Sequence, residues 1–320
     1  RLWASLVRKY YPRPGPSLQV HTALKRREFL RIIAGGLIVT PTLTGCVAKK
    51  SPVAAPAAPP PLPRKKVAAL TVPVPESPLP KVDEDFIKDY LHKMRNFDED
   101  HAGDIIVEPH EQALLVSVVN KLGRVQEHIG HGNFYLLGFD RALSVGGFTR
   151  AETEFMDKTF HRDAEEYGFF GKKPLAGLTD QVDMKRAYKV PYTGNWLYRE
   201  GPLERYEEIR SILGESVVLT SGVRSIVKQF YLFLHKAMRC NGNLSRASRS
   251  LAPPGYSFHG VGDFDVGQKG FGARNFTAEF TRTKVFQRLN ELGYITLRYP
   301  KDNLLGVRFE PWHIKMDTKA

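Results

Sequence analysis

A run of prolines and alanines, VAKKSPVAAPAAPPPLPRKKVAALTVPVPESPLPKV, occupies residues 47–82 and divides the chain. Proline fixes φ and has no backbone N–H to donate, so a stretch this dense in it cannot build a core. The composition predicts an extended, semi-stiff tether. Ordered sequence is expected to begin near Asp83. Charge divides at the same place: residues 1–82 hold 14 Lys/Arg against 2 Asp/Glu, leaving 33 against 32 for residues 83–320. The net charge of +13 therefore belongs to the N-terminal segment, and the nearly neutral remainder argues against a nucleic-acid partner. A hydrophobic content of 42% is ample for a sizeable core.

Ahead of the tether, KRREFLRIIAGGLIVTPTLTGC runs from Lys25 to Cys46. Paired arginines precede an apolar stretch too short to span a membrane, which takes about 20 residues. The segment resembles a twin-arginine export signal (Arg26, Arg27, Phe29, Leu30) that ends in a bacterial lipobox, Leu43-Thr44-Gly45-Cys46. That resemblance implies cleavage before Cys46 and acylation of it, giving a lipid-anchored, periplasm-facing lipoprotein of the bacterial cell envelope. Val47, rather than Asp, after the cysteine leans toward the outer membrane. Residues 1–24 read as an extension upstream of the signal, from an over-extended or partial reading frame. Cys240 is the other cysteine; with Cys46 acylated, no intramolecular disulfide can form.

Helical spacing dominates residues 83–190. DEDFIKDYLHKMRNF opens on acids and predicts a short helix. EPHEQALLVSVVNKLGRVQEHIG aligns Leu114, Leu115, Val118, Val119 and Leu122 on one helical face. TRAETEFMDKTFHRDAEEYGF predicts a third helix, N-capped by Thr149. Beyond 190, SVVLTSGVRS reads as a buried strand, IVKQFYLFLHKAM as an apolar helix and GDFDVG as a short strand. TKVFQRLNELG reads as a helix stopped by glycine, and YITLRYP and GVRFEPWHIKM as two further strands. Helices segregated from a few mostly antiparallel strands define an α+β fold.

The chemistry-bearing residues lie in the second half. His259 and Asp265 share one short segment, and FEPWHI supplies Glu310 and His313. Two histidines and a carboxylate make the three protein ligands of an open zinc site, and a further carboxylate can serve as general base. In a straight strand residues 310 and 313 face opposite sides, so EPWH must turn for both to reach one metal; Pro311 favours that.

PPGYSFHGVGDFD together with FEPWHI resembles the zinc peptidases of the lysostaphin/D-Ala-D-Ala carboxypeptidase/hedgehog group, and within it the VanY-type D-alanyl-D-alanine carboxypeptidases. Pro253, Pro254, Gly255, Ser257, His259 and Gly262 fit the first block, and Glu310, Pro311, Trp312 and His313 the second. LTSGVRSIVKQFYLFL resembles a third, with Val223 where the family has Tyr. The three blocks span about 215–316.

This resemblance implies a hedgehog/DD-peptidase-like catalytic domain over 191–320, preceded by the helical region 83–190. It implies one zinc ion held by His259, Asp265 and His313, with Glu310 activating water and Arg224 stabilising the oxyanion. Ser257, Gln229 and Ser221 would contact substrate, and Trp312 would pack beneath the site. Asn275 and Arg308 are further supporting candidates. The implied substrates are peptidoglycan stem peptides trimmed of D-alanine. An endopeptidase of the same fold, or a non-catalytic zinc- and peptidoglycan-binding lipoprotein, are the alternatives. One departure stands out: five residues separate His259 from Asp265, where the family has six. A one-residue deletion inside a strand would turn the carboxylate away, so it must fall in the glycine-flexible GVG portion. Asp263 is the rival ligand; Asp265 is preferred because FDVG matches the strand end that follows the family's aspartate.

Overall fold

The structure, a computed structural model, describes residues 84–316. The signal, lipobox and tether lie outside the described residues. Helix α1 (Glu84–Arg95) carries Glu84 and Asp85 in its first turn and His92, Lys93 and Arg95 in its last, the arrangement that complements a helix dipole. Helix α2 (Gln112–Ile129) buries Leu115, Val118, Val119, Leu122 and Val125, one face at 3–4-residue spacing. It stops at Gly130, whose φ of 87° suits glycine. After α3 (Phe139–Gly146), helix α4 (Arg150–His161) begins with a capping box in which Thr149 and Glu152 satisfy each other's backbone N–H groups. Glu152 also accepts from Ser117 and, at 2.6 Å, from Lys121 Nζ, which ties α4 to α2.

Strands β1 (Ala187–Lys189) and β2 (Trp196–Tyr198) form an antiparallel pair, followed by α5 (Glu204–Leu213). The central sheet has the order β3 (Val217–Ser221), β4 (Phe264–Gln268), β5 (His313–Ile314), antiparallel throughout. Between β3 and β4 the chain forms α6 (Ile226–Arg239) and α7 (Leu244–Ser248); α8 (Lys284–Glu291) follows β4 and ends at Gly293, φ 69°. The result is an α+β fold of two small antiparallel sheets among helices, with a helical segment in front.

Two apolar clusters hold it. In the larger one, α2, α3 and α4 close on Ile226, Val227, Phe230, Phe233 and Leu234 of α6. In the other, Val217, Leu219, Phe264, Val266 and Ile314 of the central sheet face Ile209, Phe280 and Leu289. No helix among the described residues is long and apolar enough to cross a membrane.

The expected strands at YITLRYP and GVRFEPWHIKM are largely absent. Residues 294–300 contribute one isolated bridge, Leu297 to Ile314, and the second segment pairs regularly only at His313–Ile314. Pro300 and Pro311 cannot donate to a ladder. Arg298 is drawn to Asp263, and Glu310 N–H donates to Tyr299 C=O, so these backbones are held by irregular contacts around the site.

Candidate active site

Side-chain parity in β4 builds the site. Phe264 and Val266 enter the apolar cluster, so Asp265 between them faces the other side of the sheet. Its partner across β5 is His313, and across β3 it is Ser221. Leu219 pairs with Val266 on the core face, yet Ser221, two residues on, pairs with Asp265; a bulge at Thr220 absorbs the extra residue. That bulge turns Ser221 and the following Gly222–Arg224 toward the Asp265 face. Glu310 and His313 reach it together because Pro311 and Trp312 form a turn closed by His313 N–H donating to Glu310 C=O.

The SGVRS and SFHG segments are fastened to each other. Arg224 N–H donates to His259 C=O at 3.2 Å, and His259 Nδ1 lies 2.9 Å from Gly222 C=O. Gly222 is required there, since a Cβ would lie 2.0 Å from the Trp196 carbonyl oxygen. Val223, at the family's Tyr position, packs away from the site against Val182, Ala187 and Tyr198.

His259, Asp265 and His313 come together, each buried, with one donor atom from each inside a 4.8 Å span. Asp265 Oδ1 is 3.4 Å from His259 Nε2 and 3.4 Å from His313 Nδ1, and Glu310 Oε2 is 3.4 Å from the same Nδ1. Asp263 stands on the far side of the His313 ring. Its carboxylate accepts from His313 Nε2 at 2.9 Å, from Arg298 at 2.8 and 3.2 Å, and from the Met316 backbone N–H at 2.8 Å. Asp263 is therefore saturated, whereas Asp265 Oδ1 is buried with no hydrogen-bond donor. Each imidazole is oriented through its outer nitrogen, by Gly222 C=O or by Asp263, leaving the inner nitrogen toward Asp265. An ordered set of two nitrogens and one unclaimed carboxylate oxygen fits a divalent metal ion with room for further ligands.

Electrostatics agree with that fit. Burial and the neighbouring Arg224 push His259 down to about 4, keeping the imidazole neutral. His313 goes the other way: burial opposes its charge, but Asp263, Glu310 and Asp265 together raise it to about 10. Asp265 stays below the usual carboxylate range despite its burial, because both imidazoles and Arg224 favour its charge.

The cluster opens on a cavity of about 530 Å³. Ser221, Arg224, Gln229, Ser257, Glu310 and Trp312 all line it. Among the described residues ten buried side-chain polar atoms lack a hydrogen-bond partner, and six belong to cavity-lining residues: Thr220, Arg224, Gln229, Ser250, Asp265 and Arg308. Buried polar groups are ordinarily paired, so this concentration marks a wall built to receive a polar ligand. Asn275 lies elsewhere: its amide bonds both the N–H and the C=O of Gln268 and closes the end of β4. Cys240 is buried and unpaired.

Sequence reading missed several residues here. Tyr299 stacks edge-on against His313, 5.2 Å between centroids, and Arg298 holds Asp263. Tyr135, Phe97 and Asp98 reach the cavity from the helical region. None sits in a motif, and only the tertiary fold reveals them.

Fold and donor cluster together define an α+β domain with three donor groups that could hold a metal ion beside an open cavity. Residues 208–317 match the family model described as VanY, D-alanyl-D-alanine carboxypeptidase. No significant match is found among curated proteins. Similar solved structures include the vancomycin-resistance D,D-pentapeptidase VanY, as a mutant with Zn(II): 22% identity over 41% of this chain and 77% of that one, TM-score 0.34. VanYB in complex with D-alanine-D-alanine is 20% identical over 46% and 83%, TM-score 0.37. The LdcB LD-carboxypeptidase is 22% identical over 39% of this chain and 60% of its own, TM-score 0.34.

Proposed function

We propose that the protein is a zinc-dependent D-alanyl-D-alanine carboxypeptidase that trims peptidoglycan stem peptides. The observation that carries this reading is the meeting of His259, Asp265, His313, Glu310 and Arg224 on one cavity wall within the segment that matches the VanY family model. Zinc would be held by His259 Nε2, Asp265 Oδ1 and His313 Nδ1, and when bound it polarises the scissile carbonyl and lowers the pKa of water toward about 7.

The chain's own groups do the rest. Glu310 takes the proton of the attacking water on its carboxylate and passes it to the leaving amine. Arg224 faces the negative charge growing on the carbonyl oxygen; a fixed donor of this kind contributes roughly 3–4 kcal/mol. Its guanidinium is nearly inaccessible, with Nε unpaired among the described residues, so it need not break an existing bond to act. Gln229, whose Nε2 is committed to Ala252 C=O, keeps Oε1 for a peptide N–H. Ser221 and Ser257 offer hydroxyls beside it. Export through a twin-arginine signal and acylation at Cys46 would put this domain on the periplasmic side of a membrane, held at the end of the 47–82 tether beside its substrate.

Bound zinc and D-alanine release from a stem pentapeptide test the reading, with wild type and Glu310→Ala side by side. Wild type should hold one zinc and release D-alanine, and Glu310→Ala should keep the zinc and lose the release. Stoichiometric zinc with no cleavage of any stem peptide would favour the binding-protein alternative.

A further inference from the structure

Apart from the histidines of the donor cluster, the cavity wall carries three side-chain cations among the described residues, and they are not equivalent. Lys236 is already neutralised by Asp98, 2.6 Å away. Arg224 lies within the donor cluster, in the field of Asp265 and Glu310. Arg308 feels the carboxylates of Glu310 and Asp98 but makes neither an ion pair nor a side-chain hydrogen bond among the described residues, although its Nε is shut off from solvent. Two aromatic rings hold it instead, with its guanidinium carbon 4.8 Å from the Phe97 centroid and 4.9 Å from that of Trp312.

This clamp is itself braced. Arg308 N–H donates to Arg249 C=O at 3.0 Å. The Arg249 side chain bonds Phe97 C=O and Glu99 C=O, and pairs with the buried Asp104 carboxylate at 2.8 Å. Phe97 and Arg308 are thus set against each other by one buried ion pair that joins Asp104 of the helical region to Arg249 at the end of α7. Stacking occupies the faces of a guanidinium and leaves its in-plane N–H fork free, the geometry that receives a carboxylate through two parallel hydrogen bonds. A partly desolvated cation with no anion in contact is costly to hold, and an incoming carboxylate relieves that cost.

We propose that Arg308, clamped between Phe97 and Trp312, binds the free C-terminal carboxylate of the peptide and so makes this site an exopeptidase. The inference rests on the peptidase reading above and names the group that selects chain ends over internal bonds. It also gives the helical region a part in the site, since Phe97 forms half of the clamp.

The test compares three peptides: an acetylated stem pentapeptide, the same peptide with a C-terminal amide, and one with its side-chain carboxylates amidated instead. The full zinc-loaded chain and its Arg308→Met and Arg308→Lys forms are assayed on each. Wild type should prefer the free acid over the terminal amide by about 10- to 100-fold in kcat/KM, the range for hydrogen bonds between charged groups. Arg308→Met should lose that preference, chiefly through KM on the acid, while its zinc content and thermal unfolding midpoint stay at the wild-type values and so report an intact fold. Arg308→Lys should recover part of it. An acid/amide ratio untouched by Arg308→Met would overturn the assignment, as would sensitivity to the side-chain amides in place of the terminal one. If wild type cleaves none of the peptides, the peptidase reading has failed separately. Calorimetric binding of D-Ala-D-Ala and its amide then decides for Arg308: an acid preference lost in Arg308→Met supports it, and equal or absent binding overturns it.

Discussion

Asp263 and Asp265 lie two residues apart on either side of one imidazole, and replacing each by Asn should have opposite consequences. Asp263 is fully buried and accepts four hydrogen bonds, from His313, twice from Arg298 and from the Met316 N–H. Asp263→Asn leaves Arg298 short of its counter-charge and sets an amide donor among donors. Breaking a buried pair from one side costs about 3–5 kcal/mol. Its effect on zinc is indirect, through the lost orientation of His313, and should weaken affinity about 10- to 100-fold. Asp265 Oδ1 accepts no hydrogen bond, and its charge is balanced through space by the two imidazoles and Arg224, so Asp265→Asn should cost less stability without metal than Asp263→Asn. It should nevertheless abolish stoichiometric zinc binding. Urea unfolding in the presence of chelator measures the first quantity, and competition with a chromogenic chelator the second. Zinc lost in Asp263→Asn but fully retained in Asp265→Asn would refute the reasoning, because saturation of Asp263 is its whole basis.

Two further outcomes rest on single contacts. Arg224→Met should lower kcat by about 10²–10³ with little change in KM, as expected for a donor used mainly in the transition state; steady-state kinetics on the stem pentapeptide check it. Glu152 is held down to about 2: burial opposes its charge, but Lys121, Ser117 and the Thr149 N–H outweigh it. Its folded pKa lies below its unfolded value, so its stabilisation of about 3 kcal/mol is present above about pH 4.5 and lost as pH falls toward 2. Unfolding midpoints across that window should converge for wild type and Glu152→Gln.

How much of this was legible in the sequence depends on whether a feature is local. Thr149 and Glu152 declare the start of α4 because a capping box is written in four consecutive residues. The apolar face of α2 declares itself by period. The residues 259, 265, 310 and 313 could be read because each sits in a short motif. What could not be read is carried by tertiary pairing. YITLRYP has the composition of a strand, yet its Arg298 and Tyr299 are committed to Asp263 and His313. Nothing local to MRNFDED or to HGNFYLLG announces that Phe97 and Tyr135 will reach a cavity framed by β4 and β5. The fold class could therefore be read, but the cavity's far wall could not.

The five residues between His259 and Asp265 contain a tight turn. Phe258 C=O accepts from three successive N–H groups, those of Val261, Gly262 and Asp263, at 3.0, 3.1 and 3.1 Å. A turn that tight is possible because Gly262 has φ 130°, a conformation that residues with a Cβ rarely adopt. β4 then begins in the parity fixed by Phe264 and Val266, with Asp265 on the cavity face. Gly262→Ala should therefore cost about 1–3 kcal/mol and displace Asp263, weakening the hold on His313 and with it zinc binding. Its new Cβ would also lie 3.2 Å from Pro202. Gly270→Ala is the matched control: φ is 80° and nothing lies within 4 Å of the added Cβ, so it should cost about 1 kcal/mol and leave zinc affinity alone. If the two variants proved equal in both stability and zinc affinity, the missing residue would have to be absorbed somewhere other than this turn.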